Sequence, residues 1–338
     1  MTTLEARRVA VVTGCAGFIG SHLCEALLRE GWRVRGVDAL TDYYPAARKR
    51  ANLSGLTSSA GFTFSRADLA RDPLGLLVEG ADAIFHLAAQ PGVRGSFGEG
   101  FETYARCNVV GTQRLLEAAA SARVPPRVVY ASSSSVYGDA AIVPTTEAVE
   151  RRPVSPYGMT KVATEDLADA YFRTAGLETV GLRYFTVYGP RQRPDMAFSR
   201  FIERALGGKP LVVHGDGRQI RDFTFVADAV AAPVAAAERG VPGAVYNVGG
   251  GSPVTLDRVV EILGRLLSCT LPVERTGAVR GDVRCTTADT TRCRRELGVR
   301  PSTPIERGLA HQVAWTLRSR PRATRPGVEQ PRAVGAGA

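Results

Sequence analysis

Lysine is scarce in this sequence, and long apolar runs are missing from it. The chain has only three lysines, Lys49, Lys161 and Lys209. Arginine therefore supplies nearly all of the positive charge behind the formal net charge of +10. No aromatic and basic residues form a stacking platform, and no recognised nucleic-acid motif is present, so the charge does not predict nucleic-acid binding. No apolar run reaches the roughly 18 residues that a membrane-spanning helix needs. We therefore expect neither nucleic acid nor membrane as a partner.

The cysteines do not follow metal-binding spacing such as C-x-x-C, so we expect no metal site. The size of the chain and its expected location argue against a disulfide framework. The six are Cys15, Cys24, Cys107, Cys269, Cys285 and Cys293. The first residues, MTTLEARR, lead directly into a strand-like run without the apolar segment of a signal peptide, which favours a cytoplasmic location. A length of 338 residues with 44% hydrophobic and 22% charged residues is typical of a soluble protein with one large or two closely associated domains.

A glycine-rich turn follows the first apolar run of the chain. Residues 9–13 read as a buried strand, residues 21–30 as a helix, and Gly14, Gly17 and Gly20 lie between them. Glycines in such a turn allow the backbone to approach a pyrophosphate, and the helix offers its free N–H groups. The order strand, glycine turn, helix therefore predicts a dinucleotide site.

A second strand, residues 32–37, ends at Asp38. A carboxylate at this point of a dinucleotide domain accepts hydrogen bonds from the ribose 2′-hydroxyl and repels a 2′-phosphate, so NAD is favoured over NADP. The alternative is that Asp38 only caps a helix.

Strands and helices then alternate along the chain. We predict further strands at residues 63–66, 83–88, 128–131, 179–184 and 244–248, and expect residues 221–230 to return toward the same sheet. His86, inside an apolar run, reads as a core histidine rather than a ligand. This rhythm predicts an α/β fold with a doubly wound parallel sheet. We assign 5–188 and 222–249 to an NAD-binding domain, 189–221 and 250–317 to a smaller discontinuous α+β substrate domain, and 318–338 to a disordered tail.

The segment SPYGMTK places Tyr157 and Lys161 four residues apart. If a helix begins at Pro156, both side chains share one face. A neighbouring ammonium would lower the pKa of the phenol, so that Tyr157 could act as a base near neutral pH with help from a serine of the run 132–135. The spacing alone also occurs by chance in many helices.

Taken together in this order, the motifs resemble those of the extended short-chain dehydrogenase/reductases that act on nucleotide sugars. The resemblance is strongest to the UDP-glucuronate 4-epimerases. Three stretches carry it: AAQPGVRGS at 88–96, SSSSVYG at 132–138 and RYFTVYGPRQRPDMA at 183–197. The resemblance implies a Rossmann fold, a bound NAD, a UDP-sugar substrate, and a homodimer formed through helices at 101–122 and 160–174.

The resemblance also implies site residues, position by position. The catalytic group would be Ser133, Tyr157 and Lys161. Cofactor-binding positions would be Gly14, Gly17, Phe18, Ile19, Gly20, Asp38, Asp68, Leu69, Leu87, Ala88, Ala89, Asn108, Tyr157, Lys161 and Tyr184. Substrate-binding positions would be Gln90, Arg94, Ser134, Ser135, Thr186, Arg193, Arg221, Arg280 and Asp282. One departure is Val279, which stands where many relatives have an arginine, with Arg280 one residue later.

Several reactions are compatible with this family. Relatives that eliminate water or carbon dioxide usually carry an acid where this chain has Ser135, which favours epimerisation of UDP-glucuronate to UDP-galacturonate. The alternatives are a 4-epimerase of neutral UDP-sugars, a UDP-glucuronate decarboxylase or 4,6-dehydratase, and a non-catalytic NAD-binding regulator. The sequence leaves the direction of flux open.

Overall fold

The computed structural model describes residues 7–251, 253–277 and 279–320. Its strands, in chain order, are β1 (Val9–Thr13), β2 (Arg33–Asp38), β3 (Phe62–Arg66), β4 (Ala83–His86), β5 (Arg127–Ser133), β6 (Thr179–Tyr184), β7 (Thr186–Tyr188), β8 (Leu211–His214), β9 (Ile220–Phe225), β10 (Val245–Val248), β11 (Pro253–Thr255), β12 (Val273–Thr276) and β13 (Cys285–Thr286). Its α-helices are α1 (Phe18–Arg29), α2 (Ala46–Leu53), α3 (Gly75–Val78), α4 (Phe101–Tyr104), α5 (Gly111–Ala120), α6 (Pro156–Ala175), α7 (Ala197–Leu206), α8 (Val226–Arg239), α9 (Leu256–Leu267) and α10 (Ile305–Ser319).

Seven strands form the main sheet, in the order β10-β6-β5-β4-β1-β2-β3, and every neighbouring pair is parallel. The chain runs outward from β1 to β3 on one side and from β4 to β6 on the other. The strand order therefore reverses between β1 and β4, and the loops at their carboxyl ends leave in opposite directions. Such a switch point is where doubly wound sheets bind their ligands. The predicted Rossmann architecture is confirmed.

Helices cover both faces of this sheet because its strands are apolar on both sides. On one face Leu23 of α1 and Ala229 of α8 pack against β-strand residues such as Phe85. On the other face Leu115 of α5 and Ala168 of α6 belong to a second core. The site is therefore held between two packed layers.

A third core lies outside the main sheet. It includes Phe198 of α7, Phe223 of β9, Leu263 of α9 and Leu309 of α10. The expectation that residues 221–230 return to the main sheet is wrong for β9, which pairs with β7, β11 and β13. The chain returns to the core of the main sheet with α8, and it rejoins the sheet itself with β10, which pairs with β6. The boundaries of the two domains stay a prediction.

Several element ends differ from the expectation. Helix α1 begins three residues early because Gly17 is its N-cap, and β5 continues through Ser133. The helix expected at 101–122 contains a π-helical stretch, Ala105–Val110, and ends at Ala120. Helix α10 includes residues 318 and 319, so the predicted tail begins too early at residue 318; residues 321–338 of that tail lie outside the described part. Within the described residues, no helix combines the length and apolarity needed to cross a membrane.

Candidate active site

The glycine turn lies at the carboxyl end of β1, where the cleft begins. Gly14 has a φ of +72°, and a Cβ there would lie 2.8 Å from the backbone nitrogen of Ala88. Only glycine fits this left-handed, crowded position. Gly17 is the N-cap of α1 and has no side chain to bond the first N–H groups of that helix. These donors can therefore serve an anionic ligand.

Two carboxylates lie farther along the same cleft. Asp38, at the end of β2, accepts hydrogen bonds from the backbone N–H groups of Ala16 (3.1 Å) and Leu40 (2.8 Å), which fix its orientation. Asp68 accepts from the Arg106 guanidinium at 2.6 Å and from the backbone N–H of Ala70 at 3.0 Å. Burial opposes ionisation of Asp68, but these bonds outweigh it and lower its pKa. Both carboxylates line the cleft.

Helix α6 brings the central tyrosine and lysine to the cleft as the spacing predicted. Its N-cap, Ser155, accepts from the N–H of Gly158, and Pro156 occupies the first turn. A Cβ on Gly158 would lie 2.6 Å from the carbonyl oxygen of Ser135, so this glycine allows the helix to approach the serine run closely. Tyr157 and Lys161 then face the cleft together.

The expected effect of Lys161 on Tyr157 is wrong for the protein's own groups. Burial raises the pKa of Tyr157 above its ordinary value of 10; Arg193, followed by a hydrogen bond with Ser133, opposes that increase. The Lys161 ammonium instead donates to the carbonyl oxygen of Ala131 at 2.8 Å. Burial lowers the pKa of Lys161 to about 8, against the opposing charge of Glu165. The chain alone therefore holds Tyr157 as a neutral phenol.

A buried ion pair supports the end of β5 below these groups. Arg183 donates from Nε and Nη2 to the two oxygens of Glu165, at 2.8 and 2.7 Å. Glu165 also accepts from the hydroxyl of Ser132, and Arg183 donates to the hydroxyl of Tyr137 at 2.8 Å. Glu165 is on α6, one helical turn beyond Lys161, whereas Arg183 is on β6 and Ser132 is on β5. These contacts therefore join α6 to both strands. They fix the strand that ends at Ser133.

Arg193, between β7 and α7, brings a positive charge to the cleft. It lines the cleft and is close enough to Tyr157 to affect the pKa of that phenol. Its guanidinium donates from Nε and Nη2 to the two oxygens of Asp195, both at 3.0 Å. Asp195 also accepts from the hydroxyl of Tyr43 at 3.2 Å. A partly buried cation next to a phenol is a suitable site for an anionic substrate group.

A second group of predicted residues lies together beside the cleft. Arg221 pairs with Asp282 and donates to the carbonyl oxygen of Val283 at 2.6 Å. Arg280 lies over the ring of Phe97 at 4.3 Å from the ring centre. Arg94 donates to Nε2 of His214 at 3.1 Å. This cluster joins the cleft at Val93, which precedes Arg94 and contacts the 280–282 turn.

Comparison with known proteins decides the family. Residues 10–249 match the model of the NAD dependent epimerase/dehydratase family. The chain belongs to this family.

The chain is similar to three proteins in particular. It is 41% identical to an uncharacterized UDP-glucose epimerase of Bacillus subtilis over 90% of this chain and 96% of that protein. It is 37% identical to a UDP-glucuronate 4-epimerase of Thermodesulfobacterium geofontis over 90% and 95% of the two chains. Its fold matches the crystal structure of UDP-glucuronic acid 4-epimerase from Bacillus cereus in complex with UDP-glucuronic acid and NAD, with a TM-score of 0.88, 38% identity, and 91% and 98% of the two chains covered.

For an NAD dependent epimerase/dehydratase, the residues of this cleft fit the cofactor. The glycine turn leaves room and N–H donors for a pyrophosphate, and Asp38 stands at the strand end where an adenosine ribose would lie. Most of the predicted site residues line this one cleft. They are Gly14, Gly17, Phe18, Ile19, Gly20, Asp38, Asp68, Leu69, Leu87, Ala88, Ala89, Gln90, Ser133, Ser134, Ser135, Tyr157, Lys161, Tyr184, Thr186 and Arg193.

Five predicted residues do not line the cleft. Four form the adjoining cluster of Arg94, Arg221, Arg280 and Asp282. The fifth, Asn108, is buried in the π-helical stretch and bonds both backbone groups of Gln90, at 2.7 and 3.0 Å, and the hydroxyl of Thr160. Asn108 therefore positions the Gln90 backbone rather than contacting the cleft directly.

His86 is a core residue, as expected. Its ring nitrogens pair with the hydroxyls of Thr13 (2.8 Å) and Thr112 (2.9 Å), and burial lowers its pKa to about 3. Reasoning from the sequence missed Tyr43 and Lys49, which line the cleft, and Asp195 beside it. Lys49 donates to Thr41 at 2.9 Å, and burial lowers its pKa. No sequence motif marks Tyr43 or Lys49 as site residues. Asp195 lies in the RPDMA segment, which is part of a stretch that carries the family resemblance, and that segment was the signal that could have identified it.

Proposed function

We propose that this protein is a UDP-glucuronate 4-epimerase that interconverts UDP-glucuronate and UDP-galacturonate with a bound NAD. The observation that carries the proposal is the partly buried Arg193 guanidinium next to Tyr157 in the NAD cleft. An arginine at this point matches a substrate whose sugar bears a carboxylate. The similarity to UDP-glucuronate 4-epimerases over nine tenths of the chain supports the same reaction.

The reaction inverts one carbinol centre. A bound NAD would supply the hydride chemistry, which is removal of a hydride from C4 and, once the 4-keto sugar has turned over in the cleft, its return to the other face. Tyr157 takes the proton of the 4-hydroxyl in the oxidation and gives it back in the reduction. Ser133, which hydrogen-bonds Tyr157, would share the hydrogen bond between the phenol and the 4-hydroxyl of the sugar. The positive charge of a bound nicotinamide would favour the phenolate, as Arg193 does within the chain, and Lys161, which lines the same cleft, would hold the nicotinamide ribose.

The substrate carboxylate creates a hazard that the site must control. A ketone at C4 and a carboxylate at C5 form a β-keto acid. If the C5–carboxylate bond aligns with the carbonyl π system, carbon dioxide leaves, the electron pair forms an enolate, and C5 takes a proton to give a keto pentose. Arg193, with hydroxyls from Thr186, Ser134 and Ser135 in the same cleft, can hold the carboxylate away from that alignment.

The residue at position 135 supports epimerisation over elimination. Ser135 lines the cleft where eliminating relatives have an acid. A serine hydroxyl is too weak an acid or base for dehydration at neutral pH. A 4-epimerase of neutral UDP-sugars is the second candidate, and the 41% identity with an uncharacterized UDP-glucose epimerase of Bacillus subtilis favours it.

The proposal extends to the assembly. Three apolar side chains, Phe101, Val110 and Met159, are 42%, 45% and 54% exposed on or beside the helices at 101–120 and 156–175. A homodimer through these helices would cover them. The cytoplasmic location and the lack of nucleic-acid or membrane partners stay predictions from the sequence.

Replacement of Arg193 tests the choice of substrate. Arg193→Ala and Arg193→Lys should each lower kcat/KM for UDP-glucuronate by about 10- to 100-fold, because hydrogen bonds to charged groups contribute about 1.5–3 kcal/mol. The values for UDP-glucose should change by less than about threefold. Equal losses on both sugars would exclude the carboxylate role, and a native enzyme that prefers UDP-glucose would favour the second candidate.

A further inference from the structure

Asp195 holds one particular edge of the Arg193 guanidinium. Its oxygens accept from Nε and Nη2 of Arg193 in a side-on, bidentate pair, both at 3.0 Å. A guanidinium has five N–H donors in a fixed plane. The pair with Asp195 therefore leaves Nη1 and the second proton of Nη2 for a second carboxylate on the adjacent edge. The two carboxylates would not compete for the same protons.

Tyr43 makes a second hydrogen bond that holds Asp195. The hydroxyl of Tyr43, which follows β2, donates to Oδ2 of Asp195 at 3.2 Å across 152 residues of sequence. Gly92 allows this approach, because a Cβ there would lie 2.8 Å from the Tyr43 hydroxyl and its φ is +100°. Three loops therefore meet at Asp195: the one after β2, the one after β4 and the one after β7.

Asp195 is suited to act as a fixed anion. Burial opposes its ionisation, but the bonds from Arg193, its own backbone and Tyr43 outweigh burial and lower its pKa. Its side chain is 37% exposed, whereas that of Arg193 is 20% exposed. The carboxylate thus stands on the outer side of the arginine. It restrains a long side chain that could otherwise adopt several rotamers.

We infer that Asp195, braced by Tyr43, is a positioning residue that fixes the plane of Arg193 and so determines specificity for an acidic sugar. This inference rests on the proposed function, since it assumes that Arg193 receives the substrate carboxylate. With Asp195 in place, the open edge of the guanidinium stays directed at one point of the cleft. Without it, the charge remains but the geometry that keeps the carboxylate out of line with a C4 ketone is lost.

The decisive variant is Asp195→Asn. Its amide keeps one acceptor but directs an NH₂ group at the guanidinium, so the bidentate pair cannot form. We expect KM for UDP-glucuronate to rise about 10-fold or more, while kcat/KM for UDP-glucose stays within about twofold. The UDP-pentose fraction of the product, measured by NMR, should also rise severalfold. A merely structural loss would not alter this product ratio.

Two further variants sharpen the test. Tyr43→Phe removes only the bracing hydroxyl. It should raise KM for UDP-glucuronate and the UDP-pentose fraction by about two- to fivefold. This variant replaces Asp195→Asn in the test if Asp195→Asn does not fold. Glu203→Gln removes a partly exposed carboxylate of α7 whose ion-pair partners are Arg48 and Arg320. This control should leave both sugars and the product ratio unchanged.

Two results would overturn the inference. One is an equal change for UDP-glucuronate and UDP-glucose, or none. The other is a lower KM for UDP-glucuronate in Asp195→Asn, which would mean that Asp195 competes with the substrate carboxylate. Failure of the proposed function has a different signature, because the native protein would then form no UDP-galacturonate from UDP-glucuronate.

Discussion

Replacement of Lys161 by methionine should stabilise the protein freed of NAD while it abolishes turnover. Lys161 is buried, and burial lowers its pKa from 10.5 to about 8. In the unfolded chain the amine has its ordinary pKa. Below pH 8 the folded state must therefore carry a buried ammonium whose charge is disfavoured, and this cost lowers the free energy of unfolding.

The magnitude follows from the two pKa values. At about 1.4 kcal/mol for each pH unit, the difference between 10.5 and about 8 is worth about 3 kcal/mol. Methionine removes this cost but also loses the hydrogen bond to the Ala131 carbonyl, worth about 1 kcal/mol. We therefore expect Lys161→Met to raise the free energy of unfolding at pH 7 by about 2 kcal/mol.

The pH dependence supplies the sharper test. Between pH 8 and 10.5 the unfolded chain binds the Lys161 proton and the folded chain does not, so the stability of the native sequence rises with pH relative to Lys161→Met. The difference between the two proteins should fall to near zero at pH 10. Urea unfolding at pH 7 and pH 10, followed by the fluorescence of the buried Trp32, measures it.

Lys209→Met is the matched control, because Lys209 is exposed and its replacement should change stability by no more than about 0.5 kcal/mol at either pH. A Lys161→Met protein that is less stable than the native one at pH 7, or a difference that does not vary with pH, would refute the reasoning. The expected result would mean that the site keeps a destabilising lysine for its chemistry.

Two more replacements test the base and its support. Tyr157→Phe should lower turnover of UDP-glucuronate by about a thousandfold or more while the purified protein retains NAD, measured by absorbance after denaturation; activity close to native would exclude Tyr157 as the base. Glu165→Gln should lower the free energy of unfolding by about 3–5 kcal/mol, because it leaves the buried Arg183 without its partner. In contrast, Glu150→Gln breaks an exposed pair and should cost less than about 1 kcal/mol, so equal losses in urea unfolding would contradict this interpretation.

The parts of the site that local sequence determines were predictable. The glycine turn lies between a β-branched strand and a helix, and the Tyr157–Lys161 spacing follows a proline at the first turn of α6. Each of these signals acts within a few residues, where backbone sterics and helical periodicity decide the structure. The seven-stranded parallel sheet follows from the same alternation.

The remaining features depend on contacts between distant segments. Strand β9 has the composition of a main-sheet strand, and only its pairing with β7, β11 and β13 shows where it lies. The contact of Tyr43 with Asp195 spans 152 residues and follows no spacing rule. The pKa of Tyr157 likewise depends on how deeply the phenol is buried and on where Lys161 points. The sequence of helix α6 alone determines neither of them.

The central claim is that this cleft inverts C4 of an acidic sugar while the carboxylate stays attached. The direct measurement is incubation of the purified protein with UDP-glucuronate, without added NAD, followed by NMR of the products. We predict UDP-galacturonate as the main product, because the NAD that the protein retains would be sufficient for the reaction. A main product of UDP-pentose with release of carbon dioxide, or no reaction even after NAD is supplied, would contradict the account.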